Sequence, residues 1–109
     1  MANNNKFLSF LGIAKKSGNL CLGMDAVKEG ILKKKNIKLV LLTKDISESS
    51  EDKIKYISSK YNVKTETIDY LMEDIFSTLG KRSGIIGISN INFEKKIESM
   101  IQEEKMLKI

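Results

Sequence analysis

The chain has no histidine, no proline and a single cysteine among its 109 residues, and each shortage removes a class of chemistry. Without histidine there is no imidazole base, no catalytic triad of the usual kind and no His-ligated metal. One thiol, Cys21, supports neither a disulfide framework nor a cysteine cluster for zinc or iron–sulfur chemistry. Its neighbours Leu20 and Leu22 place it in a short strand, where a buried, inert thiol is expected, and a reducing cytoplasm suits it. With proline missing, the turns are left to Gly, Asn, Asp and Ser. No apolar run approaches the ~18 residues of a membrane span. The polar start Met1-Ala2-Asn3-Asn4-Asn5 is followed by no apolar segment of the kind a secretion signal needs. A soluble cytoplasmic protein with no membrane partner and no cofactor is expected.

What is present is lysine, unevenly spread. Lys and Arg number 19 against 14 Asp and Glu, a net charge of +5. Residues 1–44 carry nine lysines against Asp25 and Glu29 only, whereas residues 45–109 carry ten basic against twelve acidic side chains. Such a split predicts one electropositive end that faces a polyanion, because phosphates neutralised by lysine release their counterions. A solvated lysine-rich surface accounts for the same composition. The length is that of one domain spanning residues 1–109, too short for a catalytic and a binding domain together.

Read for periodicity, the chain alternates helix and strand. Phe7, Leu8, Phe10, Leu11 and Ala14 fall on helical spacing, and Gly18 stands where a left-handed C-cap is wanted. Leu20–Leu22 reads as a short strand, and Gly23 turns the chain into a second helix with Val27, Ile31 and Met24 inward. The apolar run from Ile37 to Thr43 reads as a central strand covered on both faces. Asp45-Ile46-Ser47-Glu48 has capping-box spacing ahead of a third helix through Ile54, Ile57 and Tyr61. Val63–Ile68 is a further strand. Asp69 is the expected cap of a fourth helix through Leu71, Ile75 and Leu79, which Gly80 stops. Ile85–Ile88 is the fourth strand, and Asn92 the expected cap of a last helix with Phe93, Ile97, Met100 and Ile101 inward. Four strands between five helices predict an α/β fold, a three-layer α/β/α sandwich around a mixed four-stranded sheet.

The stretch Leu11-Gly12-Ile13-Ala14-Lys15-Lys16-Ser17-Gly18-Asn19-Leu20, continuing through Gly23 to Lys38-Leu39-Val40-Leu41-Leu42-Thr43-Lys44-Asp45, resembles the kink-turn-binding ribosomal protein family (archaeal L7Ae and relatives), most closely its bacterial YlxQ-like branch. The resemblance implies the same three-layer fold, a non-enzymatic role, and structured RNA, ribosomal RNA or the ribosome in the family's pattern, as the partner; no DNA partner is implied, and a monomer is expected when free. In that family RNA meets the end of the sandwich where a glycine exposes the amides that open the second helix, and Gly23 is the match. As an isolated residue Gly23 would equally serve as a plain turn. The reading positions that follow carry over to Met24, Asp25, Ala26 and Glu29, with Lys28 beside them. Asp25 can cap the helix or accept from a guanine edge, but Ala26 offers no hydrogen bond to a base and Glu29 repels phosphate where the family has lysine.

A second RNA-facing element in the family joins the fourth helix to the last strand. Here it is Leu79-Gly80-Lys81-Arg82-Ser83-Gly84, in which Lys81 and Arg82 suit phosphate contact. A Walker A loop is excluded, since Arg82 stands where Ser or Thr is required and Ile75 where the first glycine is required. Lys44 closes the central strand at the end where ligands of α/β sheets gather, and Asp45 beside it doubles as a helix cap. Lys15 and Lys16 widen the basic face or are merely solvated, and Lys33-Lys34-Lys35 reads as a solvated run. Aromatic residues make up only 6% of the chain, so base stacking is not expected. The candidate RNA-binding residues are therefore Gly23, Met24, Asp25, Lys28, Lys44, Lys81 and Arg82. A protein-interaction or regulatory module on the same fold, in which Ala26 and Glu29 record the loss of RNA reading, is the competing expectation.

Overall fold

A computed structural model describes residues 5–107. Helix α1 (Lys6–Lys16) starts at Asn5, whose side chain accepts the Leu8 N–H at 2.9 Å, and stops at Ser17 before the left-handed Gly18. Strand β1 (Leu20–Leu22) leads through Gly23 into α2 (Met24–Glu29), which continues as a π-helical turn, Gly30–Lys34, and ends on Lys35 in the left-handed region. Strand β2 (Leu39–Thr43), α3 (Glu48–Lys60), β3 (Lys64–Ile68), α4 (Met72–Leu79), β4 (Ile85–Ile88) and α5 (Ile91–Leu107) follow.

The sheet order is β1-β4-β2-β3, with β2 and β3 parallel and β4 antiparallel to both β1 and β2. The expected central strand is fully buried along its length, and its alternation separates two cores. Leu39 and Leu41 face α1, α4 and α5 among Phe7, Leu11, Ile75 and Ile97. Val40 and Leu42 face the other way, against Val27 and Ile31 of α2 with its π-turn and Ile54 of α3. The result is the expected three-layer sandwich, because strands buried on both faces need helices on each side.

Three helix caps fall on residues other than those expected. Ser47, not Asp45, caps α3, accepting the Ser50 N–H at 3.3 Å. Asp45 instead reaches the neighbouring turn to accept the Met72 N–H at the start of α4. That frees Asp69 from capping; Asp74 accepts the Leu71 N–H, and Asp69 pairs with Lys44. Asn90, not Asn92, caps α5, its side-chain oxygen taking the N–H groups of Asn92 and Phe93. In each case a nearby side chain with an acceptor oxygen does the capping. Among the described residues, no helix is long and apolar enough to cross a membrane.

Candidate nucleic-acid interface

The topology decides which loops meet. Strands β1, β2 and β3 point the same way and β4 opposes them, so Gly23, the Thr43–Ser47 turn, the Asp69–Leu71 turn and the Gly80–Gly84 loop share one end of the sheet. The backbone stitches this mouth together. Gly23 N–H donates to the Ile85 carbonyl at 2.9 Å, Thr43 N–H to Gly84 at 3.0 Å, and Lys44 N–H to Tyr70 at 3.0 Å. Ser83, buried within the loop, both donates to the Ile85 carbonyl and accepts the Ile85 N–H, which fixes the loop at its root.

Gly23 has φ +98°, a conformation side-chain-bearing residues rarely adopt, and it lets the chain turn from β1 into α2 without a side-chain cap. Asp25 therefore lies in the first turn and does not cap α2, contrary to one of its expected roles. The Lys81 ammonium stands 3.6 Å from the point a Cβ on Gly23 would occupy. The two family-matched elements are thus in contact, and Lys81 makes no ion pair among the described residues.

The remaining cations are less available. Lys44 pairs with Asp69 at 2.8 Å and Arg82 with Glu73 at 2.5 Å, all four side chains substantially exposed. Burial works to raise the Asp45 carboxyl, but the Met72 N–H, its own N–H and the Arg82 charge outweigh this and hold it below its usual range. The Thr43 hydroxyl also favours the charged form, though it makes no hydrogen bond of full geometry. Lys28 stands apart, on the outer flank of α2 in a shallow groove of about 340 Å³ shared with Asp25, Ala26, Glu29 and Leu32. Met24 is half-buried and packs into the α2–α3 core, so it supports the mouth from beneath.

Sequence reasoning missed Asp69 and Glu73 as members of this end. Their partners, Lys44 and Arg82, stand on other elements, and no local pattern marks them. The expected electropositive end is not the mouth: Lys44, Lys81 and Arg82 there stand among Asp25, Asp45, Asp69 and Glu73, while most N-terminal lysines lie elsewhere. Cys21 is half-buried, and burial pushes its thiol up, with smaller opposing effects from the Gly87 backbone and Lys34, so it is no ready nucleophile.

Comparison with known proteins agrees with this architecture. RNA-binding protein YlxQ of Enterococcus faecium is 29% identical over 100 residues, covering 92% of this chain and 95% of that protein. A solved structure of a protein of unknown function from Bacillus halodurans superposes with a TM-score of 0.79 at 22% identity, over 89% of this chain and 97% of that one. The Giardia lamblia 15.5kD RNA binding protein superposes with a TM-score of 0.69 at 11% identity, over 93% and 92% of the two chains. Both structural likenesses speak to fold alone. The model of the ribosomal protein L7Ae/L30e/S12e/Gadd45 family matches residues 5–83, and the chain belongs to that family.

Proposed function

We propose that this protein is a non-enzymatic, cytoplasmic RNA-binding protein that takes a kinked, kink-turn-like segment of structured RNA, ribosomal RNA above all, at the mouth formed by Gly23, Met24, Asp25, Lys44, Lys81 and Arg82, with Lys28 on its flank. The observation that carries the reading is the Lys81 ammonium 3.6 Å from where a Cβ on Gly23 would stand, which sets a cation that makes no ion pair among the described residues beside a backbone turn bare of a side chain. A phosphate seated there meets charge and open backbone at once. Family membership and the likeness to the RNA-binding protein YlxQ of Enterococcus faecium support the choice of RNA. Ala26 and Glu29, both exposed on α2, favour the competing reading of a protein-interaction module, since neither supplies a base-directed or phosphate-directed contact.

Titration with a kink-turn RNA and with the same RNA carrying Watson–Crick pairs in place of its G·A pairs separates the two. Preferential, salt-sensitive binding of the first is expected. The double variant Lys81→Ala, Arg82→Ala should weaken binding about ten- to hundredfold and lower the salt slope by about 1 to 2, with the melting temperature nearly unchanged. Absence of RNA association at low salt would leave the interaction module as the better account.

A further inference from the structure

Six of the nine lysines in residues 1–44, namely Lys15, Lys16, Lys33, Lys34, Lys35 and Lys38, gather at the end of the sheet opposite the mouth. Helix α1 ends at Lys16, the π-turn at Lys34 and α3 at Lys60, and these helix ends lead into the starts of β1, β2 and β3. The backbone closes that end: Ser89 N–H donates to the Asn19 carbonyl at 3.0 Å and Lys38 N–H to Ile88 at 2.7 Å. Lys15 and Lys16, the Lys33–Lys35 run, Lys38 and Lys60 are all exposed there, and none makes an ion pair among the described residues. The acidic side chains lining the hollows of this end are Glu29 and Glu94.

Lysines at helix C-termini complement the helix dipole, which accounts for some of this charge. Three C-termini of about −0.5 each sum to roughly −1.5, far less than the cluster carries. Part of the excess stands at a hollow of about 430 Å³, lined by Lys35, Lys38, Tyr61 and Asn62. Lysine presents a compact, mobile point charge, whereas the planar fork suited to reading a base edge belongs to arginine, and the chain's arginine, Arg82, is at the mouth.

We infer that this far end is a second RNA contact, a sequence-independent seat for the phosphate backbone of a duplex stem belonging to the same RNA that the mouth takes. The inference rests on the proposed RNA function for the identity of the polyanion, and on the placement of the lysines for the site. It makes the protein bivalent toward one RNA: the mouth selects the kink, and the far end adds affinity in proportion to the stem within reach.

The test uses the full chain and two RNAs with the same kinked motif, one with short stems and one with stems extended well past the protein's 39 Å length. Lys34→Gln with Lys35→Gln and Lys38→Gln should lower affinity for the long-stemmed RNA about ten- to hundredfold near 0.1 M salt. The salt slope should fall by about 2 to 3, and the short-stemmed RNA should be nearly unaffected. Lys15→Gln with Lys16→Gln, on a separate helix end, should act in the same direction, so a local folding defect around Lys35 cannot account for both. Wild-type affinity of both variants for the long-stemmed RNA would overturn the inference and leave the far end to solvent or an acidic protein. Sensitivity to Lys81→Ala, Arg82→Ala alone would then uphold the mouth, whereas sensitivity to the far-end changes alone would uphold the second contact and refute the mouth.

Discussion

Arg82 reaches Glu73 at 2.5 Å and Lys44 reaches Asp69 at 2.8 Å, so two mouth cations can meet a phosphate only by giving up a carboxylate. Both pairs are exposed, and pairs of this kind contribute about 0 to 1 kcal/mol to folding. Their larger effect is on binding, where the carboxylate competes with the incoming anion and repels it. Glu73→Gln should therefore leave the melting temperature within about a degree or two of wild type while raising RNA affinity a few-fold. The gain should vanish when Arg82→Ala is also present, a coupling that an RNA titration over the four variants measures directly. An equal gain with and without Arg82 would mean that Glu73 acts only through the general field.

At the scale of the element, α2 widens into a π-turn at Gly30, and this glycine packs tightly on a neighbour. A Cβ on Gly30 would stand 2.7 Å from Ile37 Cγ1 and 2.8 Å from its Cδ1, closer than side-chain atoms approach. Gly30 therefore lets the helix settle on the residue that leads into β2, at a cost of about 1 kcal/mol in helix propensity. Gly30→Ala recovers that propensity but forces Ile37 out of the α2–α3 core, and a net loss of about 1 to 3 kcal/mol is expected by chemical denaturation. Ile37→Ala should cost stability by leaving a cavity, yet the double variant should cost less than the sum of the two, because the alanine methyl fills part of the vacated space. Strict additivity would place the Gly30 requirement in the π-turn itself.

At the scale of the whole molecule, Tyr70 ties three distant parts of the chain together. Its hydroxyl donates to Glu104 of α5 at 2.6 Å and accepts from the Asn5 side chain at 3.0 Å, and its ring stacks on Phe7 with centroids 5.2 Å apart. Burial first, then the hydrogen bond to the Glu104 carboxylate, raises its pKa from the usual value near 10 to about 12. A group whose folded pKa is raised contributes stability that is whole below its unfolded pKa and is lost as pH climbs through the folded one. Melting temperature should thus fall between about pH 10 and pH 12 by more than in Tyr70→Phe, which has no proton there to lose. Identical alkaline profiles for the two proteins would show that the Tyr70 network does not govern this transition.

Periodicity in the sequence was enough for the order of helices and strands, the doubly buried β2 and the three layers, since the alternation of Leu39, Val40, Leu41 and Leu42 already specifies two opposed cores. The family motif was enough to pair Gly23 with the Lys81–Arg82 loop. Cap identities were not legible, because Asp45 and Ser47, Asp69 and Asp74, or Asn90 and Asn92 are interchangeable as local acceptors, and only long-range partners such as the Met72 N–H choose between them. Charge placement was not legible either. A count along the chain cannot know that β1, β2 and β3 run in one direction, and that direction carries Lys16, Lys34 and Lys38 to one end and Gly23, Lys44 and Lys81 to the other. Hydrophobic pattern is a local property and survives in sequence; the electrostatic map depends on which loops the sheet brings together, and only the tertiary structure decided it.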